Sequence, residues 1–208
     1  MPGLREEQKA KREKRILQAA VSRFRECGYD SVRIEDLAQL AGVSVGTVYN
    51  YYQNKGDILI ATVAMEVEEV LQIGQNIADQ PPNGAEKALL KLIFNYYDHS
   101  LIYLTKEMWR TAMALSIEHP GTPNGRRYTE LDRRLGQQVT DLIATLQGRG
   151  EIRAGLDPAV LGQLVFNNLN MEFIEFVKDE KMPLKTLRNR VTAQIAPFAR
   201  MIAEEGPE

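Results

Sequence analysis

The chain has 208 residues, 44% apolar, 26% charged and 7% aromatic, which is the balance of a globular protein able to bury a real core and too apolar for a disordered one. No run of about 18 apolar residues offers a membrane-spanning helix, and the charged N-terminus lacks the apolar stretch of a secretory signal. One cysteine, Cys27, excludes an internal disulfide, and with His99 and His119 it cannot close a structural zinc site; no metal, cofactor or membrane is expected, and the cytoplasm is the expected compartment.

The net charge of −2 is unevenly spread: residues 1–56 carry +3 and residues 57–208 carry −5. A basic head on an acidic body suggests a polyanion-binding module joined to something else.

Apolar positions recur at helical spacing nearly everywhere, and no alternating strand pattern stands out. The first helix is predicted over Glu6–Glu26, with Ile16, Ala20 and Phe24 on its inner stripe and Gly28 as its stop. A short helix over Ile34–Leu40 ends at Gly42, and another runs over Val45–Tyr52. Asp57–Asp79 reads as a long helix, broken by Pro81-Pro82-Asn83-Gly84. Ala85–Tyr96 and Leu101–Glu118 follow, and His119 to Gly125, with two prolines and two glycines, reads as a loop. Leu131 to Leu146 forms the next stripe. Asp157-Pro158 then opens a helix reaching Lys178, and Pro183 opens the last, along Leu184, Leu187, Val191, Ile195, Phe198 and Ile202. The expected fold is all-α, about nine helices. A three-helix helix-turn-helix head (1–56) precedes a larger antiparallel helical domain (57–208).

Ser31 to Tyr52 carries the most information. Leu37, Ala38 and Ala41 keep the first short helix slim, Gly42 suits a tight left-handed turn, and Ser44 can cap the second short helix. That is a helix-turn-helix. With Val48 turned inward, Val45, Gly46, Thr47, Tyr49, Asn50 and Tyr51 are left for a recognition face. A threonine can meet a phosphate or a thymine methyl, an asparagine can bond an adenine edge, and tyrosines can bond phosphate while packing on sugar. Lys55 stands where a cation can hold a phosphate, and Arg5, Lys9, Lys11, Arg12, Lys14 and Arg15 form a basic arm for sequence-independent attraction.

These residues resemble the TetR (tetracycline-repressor) family of bacterial regulators. The likeness rests on Ile16-Leu17-x-x-Ala20, Phe24, Gly28-Tyr29, Leu37-Ala38, Ala41-Gly42-Val43-Ser44, Gly46-Thr47-Val48-Tyr49, Tyr51-Tyr52 and Lys55, over about residues 12–60. It implies that Ser44 to Tyr51 reads double-stranded DNA at a pseudo-palindromic operator, that Lys55 clamps a phosphate, and that the remainder binds an effector and dimerises. Three positions depart from the family pattern. Val45 replaces a lysine or other polar residue, Asn50 stands where histidine is frequent, and Arg33 replaces a capping threonine and is itself a candidate phosphate contact.

Gly42-Val43-Ser44-Val45-Gly46 also spells G-x-S-x-G, but a hydrolase elbow needs a strand before the serine, and here a helix precedes it. No catalytic set is expected. Tyr96, His99, Trp109, Met113, Phe166, Asn167 and Asn170 are candidates for an effector pocket. Leu161, Val165, Leu184, Leu187, Val191, Ile195 and Phe198 are candidates for a homodimer face, because an operator with two half-sites needs two recognition helices. The expected function is a transcriptional regulator, most plainly a repressor released by an apolar or amphipathic small molecule. The alternatives are a small-molecule-binding protein or enzyme that keeps a DNA-binding head, or a regulator controlled by a protein partner.

Overall fold

The computed structural model describes residues 3–204, and these form nine α-helices and no strand beyond an isolated bridge between Ile152 and Ala203. Two compact units result. One comprises Met1–Glu66 with Tyr103–Tyr128, the other Val67–Ile102 with Thr129–Glu208. The unit holding the helix-turn-helix is therefore larger than residues 1–56. It also takes in the first half of the long fourth helix and a later stretch of chain, because their side chains bond to the head.

In the first unit, α1 (Leu4–Cys27) buries Ile16, Leu17, Ala20 and Phe24 and ends where the Gly28 N–H donates to the Phe24 carbonyl, 3.1 Å away. It starts earlier than its apolar stripe, since Glu6 and Glu7 suit the positive end of a helix dipole. Helix α2 (Ile34–Ala41) lays Leu37, Ala38 and Ala41 inward and packs against α1 and α3 (Val45–Tyr49). Between them Gly42 takes the left-handed conformation (φ 63°, ψ 41°), and the Val43 N–H reaches back 3.0 Å to the Ala38 carbonyl. Helix α4 (Lys55–Asp79) begins before Asp57 through a reciprocal cap: the Asp57 N–H donates to Asn54 Oδ1 at 3.0 Å, and the Gln53 N–H to Asp57 Oδ2 at 2.8 Å.

Helix α5 (Ala85–His99) lies in the second unit, and α6 (Lys106–Glu118) lies in the first. The expected helix from Leu101 starts five residues later, because the Thr105 hydroxyl accepts the Met108 N–H at 3.3 Å and so sets the N-cap there. Helix α7 (Pro123–Gly148) reaches into the expected loop. Proline is tolerated in a first helical turn, and Thr122 Oγ1 accepts the Gly125 N–H at 3.1 Å.

Helices α8 (Pro158–Lys178) and α9 (Leu184–Ile202) complete the second unit. Asp157 Oδ1 accepts the Ala159 N–H at 2.8 Å and caps α8, as the Asp-Pro start predicts. Helix α9 packs on both α5 and α8, around a core that includes Leu89, Leu92, Ile93, Phe176, Leu187 and Val191. Gly162 of α8 lies so close to Thr140 of α7 that a methyl group there would overlap it, which brings the two backbones together.

Candidate nucleic-acid interface

Helix α3 is short, and its geometry is set by its neighbours. Ser44 Oγ accepts the Thr47 N–H at 3.1 Å and lies 2.8 Å from Thr47 Oγ1, so the two hydroxyls hold each other at the start of the helix. Val48 is fully buried against the head's core, which turns Tyr49 and Asn50 outward; Tyr49 is 51% exposed. Ser44 and Gly46 are exposed, and Val45 and Thr47 half-buried. This leaves one edge of α3 bearing a hydroxyl, an amide and a phenol toward solvent.

Two other tyrosines fasten that edge to α1. The Tyr51 hydroxyl donates to the Lys9 carbonyl at 3.1 Å, and the Tyr52 hydroxyl donates to Glu13 Oε1 at 3.2 Å. Burial, with the Glu13 carboxylate beside it, pushes the Tyr52 phenol well above its ordinary range, so it stays a neutral donor. Tyr51, expected as a DNA contact, spends its proton inside the protein.

Lys55 is also engaged within the protein. Its ammonium donates to the Tyr29 carbonyl at 2.7 Å and the Asp30 carbonyl at 3.0 Å, and it lies 4.4 Å from the centre of the Tyr29 ring. Four positions after Tyr51 it looks like a free cation in the sequence, but in space it staples the turn between α1 and α2. Arg33 is exposed, with its Nε 3.6 Å from Glu35 Oε2, and its own N–H donates to Asp36 Oδ2 at 3.1 Å. Asp36 thus supplies the reciprocal half of a capping box, while the half that a threonine hydroxyl at 33 would have given is not made by Arg33. On α1, Lys11, Arg12, Lys14 and Arg15 line one groove with Gln8 and Gln18, and no carboxylate joins them.

Residues 16–62 match the bacterial regulatory proteins of the tetR family. That segment is a TetR-family helix-turn-helix, and the chain is a DNA-binding transcriptional regulator. The fatty acid metabolism regulator protein of Bacillus subtilis (strain 168) is 25% identical to it, over 88% of this chain and 93% of that protein. A TetR-family regulator from Mesorhizobium loti MAFF303099 has the same fold, with a TM-score of 0.73 at 22% identity over 93% of this chain and 98% of that one. So has Thermus thermophilus FadR, a transcriptional repressor solved in complex with lauroyl-CoA, with a TM-score of 0.66 at 18% identity over 94% and 98%.

The effector candidates do not fall in one compact unit. Trp109, buried, and Met113, half-buried, lie on α6 in the first unit, while Tyr96, His99, Phe166, Asn167 and Asn170 lie in the second. Tyr96 is buried and donates to Gln138 Oε1 at 2.9 Å; Gln138 Nε2 in turn donates to the Leu71 carbonyl at 2.9 Å. Burial pushes the Tyr96 phenol far up, which suits a fixed donor. His99 has its Nε2 3.6 Å from Glu69 Oε2, and Phe166 is buried against Gly136. Asn170 is half-buried, and Asn167 is exposed and accepts from Gln163 Nε2 at 2.7 Å, so its partner is a surface amide.

Sequence reasoning missed several buried polar residues on the helices, among them Glu66, Gln138 and Glu172. Each of these three interrupts an apolar stripe at helical spacing (Leu59, Val63, Glu66, Val70; Leu131, Leu135, Gln138, Leu142; Val165, Leu169, Glu172, Phe176), a signal that could have found them. Glu172 pairs with Arg190 Nε at 2.8 Å and accepts from Gln194 Nε2 at 2.8 Å.

Most of the expected dimer residues belong to the protomer's own core. Leu161, Val165, Leu187, Val191 and Ile195 are buried within it, and Leu184 and Phe198 are half-buried. The physical reason is that α5 and α8 already cover that stripe of α9. On α8 and α9 the large apolar side chains left more than half exposed are Val160, Leu164, Met171 and Met201. Beside them, Leu164, Val165, Asn168, Gln194, Ile195 and Phe198 line a groove of about 260 Å³.

No described helix is long and apolar enough to cross a membrane. Among the described residues, no group of three or more His, Cys, Asp or Glu is placed to hold a metal ion.

Proposed function

We propose that the protein is a cytoplasmic repressor that binds a pseudo-palindromic operator as a homodimer and leaves it when an amphipathic acyl thioester such as an acyl-CoA binds its helical body. The observation that carries the DNA half is the polar edge of α3, with Tyr49 and Asn50 turned to solvent on a helix that Ser44 caps and Val48 anchors. Thr47, Tyr49, Asn50 and exposed Arg33 read or grip the duplex, with Val45 and Gly46 allowing close approach. The basic side of α1 holds phosphates. Residues 1–56 serve as the DNA-reading segment and residues 57–208 as the effector and dimerisation segment, with no catalytic role.

The acyl thioester is suggested by the relatives: one regulates fatty acid metabolism and another is a repressor bound to lauroyl-CoA. The homodimer is supported by the exposed Val160, Leu164, Met171 and Met201, which present an apolar surface on two neighbouring helices. Effector binding weakens DNA binding only by as much as the ligand prefers the released state, typically about 1–3 kcal/mol.

The test begins with a duplex selected by the wild-type protein from a randomised pool. Fluorescence anisotropy is expected to show release of that duplex as lauroyl-CoA is added, and Tyr49→Ala is expected to weaken binding by about 1–3 kcal/mol with the fold intact. Failure to select any duplex would refute the DNA reading. Selection without release would refute the acyl thioester.

A further inference from the structure

The turn that joins α1 to α2 is held at one residue from two directions. The Tyr29 N–H donates to Glu107 Oε1 at 3.0 Å, while the Tyr29 carbonyl accepts from Lys55 Nζ at 2.7 Å. The carboxylate of Glu107 also lies against Gly28, and the Tyr29 ring packs on Phe24 with centroids 5.3 Å apart. Glu107 sits in the first turn of α6, so its helix lies outside residues 1–56 and outside the matched residues 16–62. It is 78 residues along the chain from the group it bonds.

A second contact ties the same stretch to the head. Asn124 Nδ2, in the first turn of α7, donates to Asp57 Oδ1, whose other oxygen caps α4 through the Gln53 N–H. The stretch Tyr103–Tyr128 thus grips the head at both the α1–α2 turn and the start of α4.

We propose that Glu107 is a positioning residue for DNA recognition: its carboxylate, bonded to the Tyr29 N–H, fixes the turn between α1 and α2 and with it the angle at which α3 is presented. This rests on the reading of the head as a DNA reader. The reasoning is geometric. Helix α2 packs on α1 on one side and on α3 on the other, so the turn preceding α2 sets where α3 stands. A carboxylate accepting from a backbone N–H makes a charge-assisted bond that loses most of its strength once the donor and acceptor part by about 1 Å. Displacing α6 by about 1–2 Å, the scale of helix shifts in switching proteins, breaks it. The position of α6 and the aim of α3 are therefore linked through this hydrogen bond.

The full-length protein tests this with three variants and two duplexes: one selected by the wild type, and an unrelated one of equal length. Glu107→Ala is expected to lose about tenfold in affinity for the selected duplex while keeping its affinity for the unrelated one within about twofold. Glu107→Gln, which retains an acceptor oxygen, is expected to stay within about threefold of the wild type on both. Amide exchange at Tyr29, followed by NMR, is expected to quicken in Glu107→Ala and not in Glu107→Gln. Equal loss on both duplexes, wild-type discrimination in Glu107→Ala, or an equally impaired Glu107→Gln would overturn the proposal. If Glu107→Ala does not fold, Glu107→Asp decides, since it keeps the charge but withdraws the carboxylate by one methylene. Reduced discrimination in that variant supports the role, and wild-type discrimination refutes it. If the wild-type protein selects no duplex, the DNA reading is what fails, and Tyr29 exchange in Glu107→Ala still tests the bond: wild-type protection there counts against it.

Discussion

Burial alone pushes the Asp132 carboxyl up to about 6, well above the ordinary carboxylate range. The folded state therefore holds the proton more tightly than the unfolded chain does. Between about pH 4 and pH 6 the unfolded chain loses that proton first, so stability falls as the pH rises through this window and levels off above it. Asp132→Asn is expected to remove the decline and to leave the protein about 2 kcal/mol more stable at pH 7, with little change near pH 4. Urea melts across this range check it; a decline that survives the substitution would place its cause elsewhere. Lys55 makes the second point at this scale. With its ammonium on the Tyr29 and Asp30 carbonyls, Lys55→Met is expected to cost about 1–3 kcal/mol of stability in denaturant melts and to leave the salt dependence of DNA binding unchanged. A phosphate contact would instead flatten that dependence by about one unit of slope. The sequence shows the charge at position 55; which carbonyls it meets depends on a turn 25 residues away.

At the scale of elements, the local signals held wherever the deciding contact is local. Gly42, the Ser44 cap, the Asp157-Pro158 start and the Gly28 stop all act within a few residues of themselves, and the helices obey them. Reading failed where a weaker signal was overruled. Two prolines and two glycines in the stretch from His119 to Gly125 suggest a loop, but Pro123 suits a first turn and Thr122 caps it. The basic side of α1 yields a prediction of its own. Lys11, Arg12, Lys14 and Arg15 share a groove free of carboxylates, so Arg12→Ala with Arg15→Ala is expected to flatten the plot of log affinity against log salt by about 2. The loss should be the same on selected and unrelated duplexes, since phosphates carry no sequence. An unchanged slope in anisotropy titrations would remove α1 from the interface.

For the molecule as a whole, the proposed homodimer turns on which apolar surface is free to meet a second copy. Leu187 lies on the stripe that reads best in the sequence, yet it is fully buried inside the protomer. Leu187→Asp is therefore expected to unfold the chain, whereas Leu164→Asp with Met171→Asp is expected to give folded monomers. Sedimentation velocity with circular dichroism separates the two outcomes, and a folded dimer carrying both α8 substitutions would move the interface elsewhere. The same contrast marks what each level of description holds. The amino-acid order by itself determined an all-helical chain and a helix-turn-helix near its start, because helical spacing, capping hydroxyls and a left-handed glycine are enforced by neighbours a turn or less away. Tertiary structure alone decided that α9 spends its stripe on α5 and α8, that Lys55 faces inward, and that Glu107 reaches the head. Periodicity gives the direction in which a helix face points. What that face meets is chosen by packing among segments far apart in the chain.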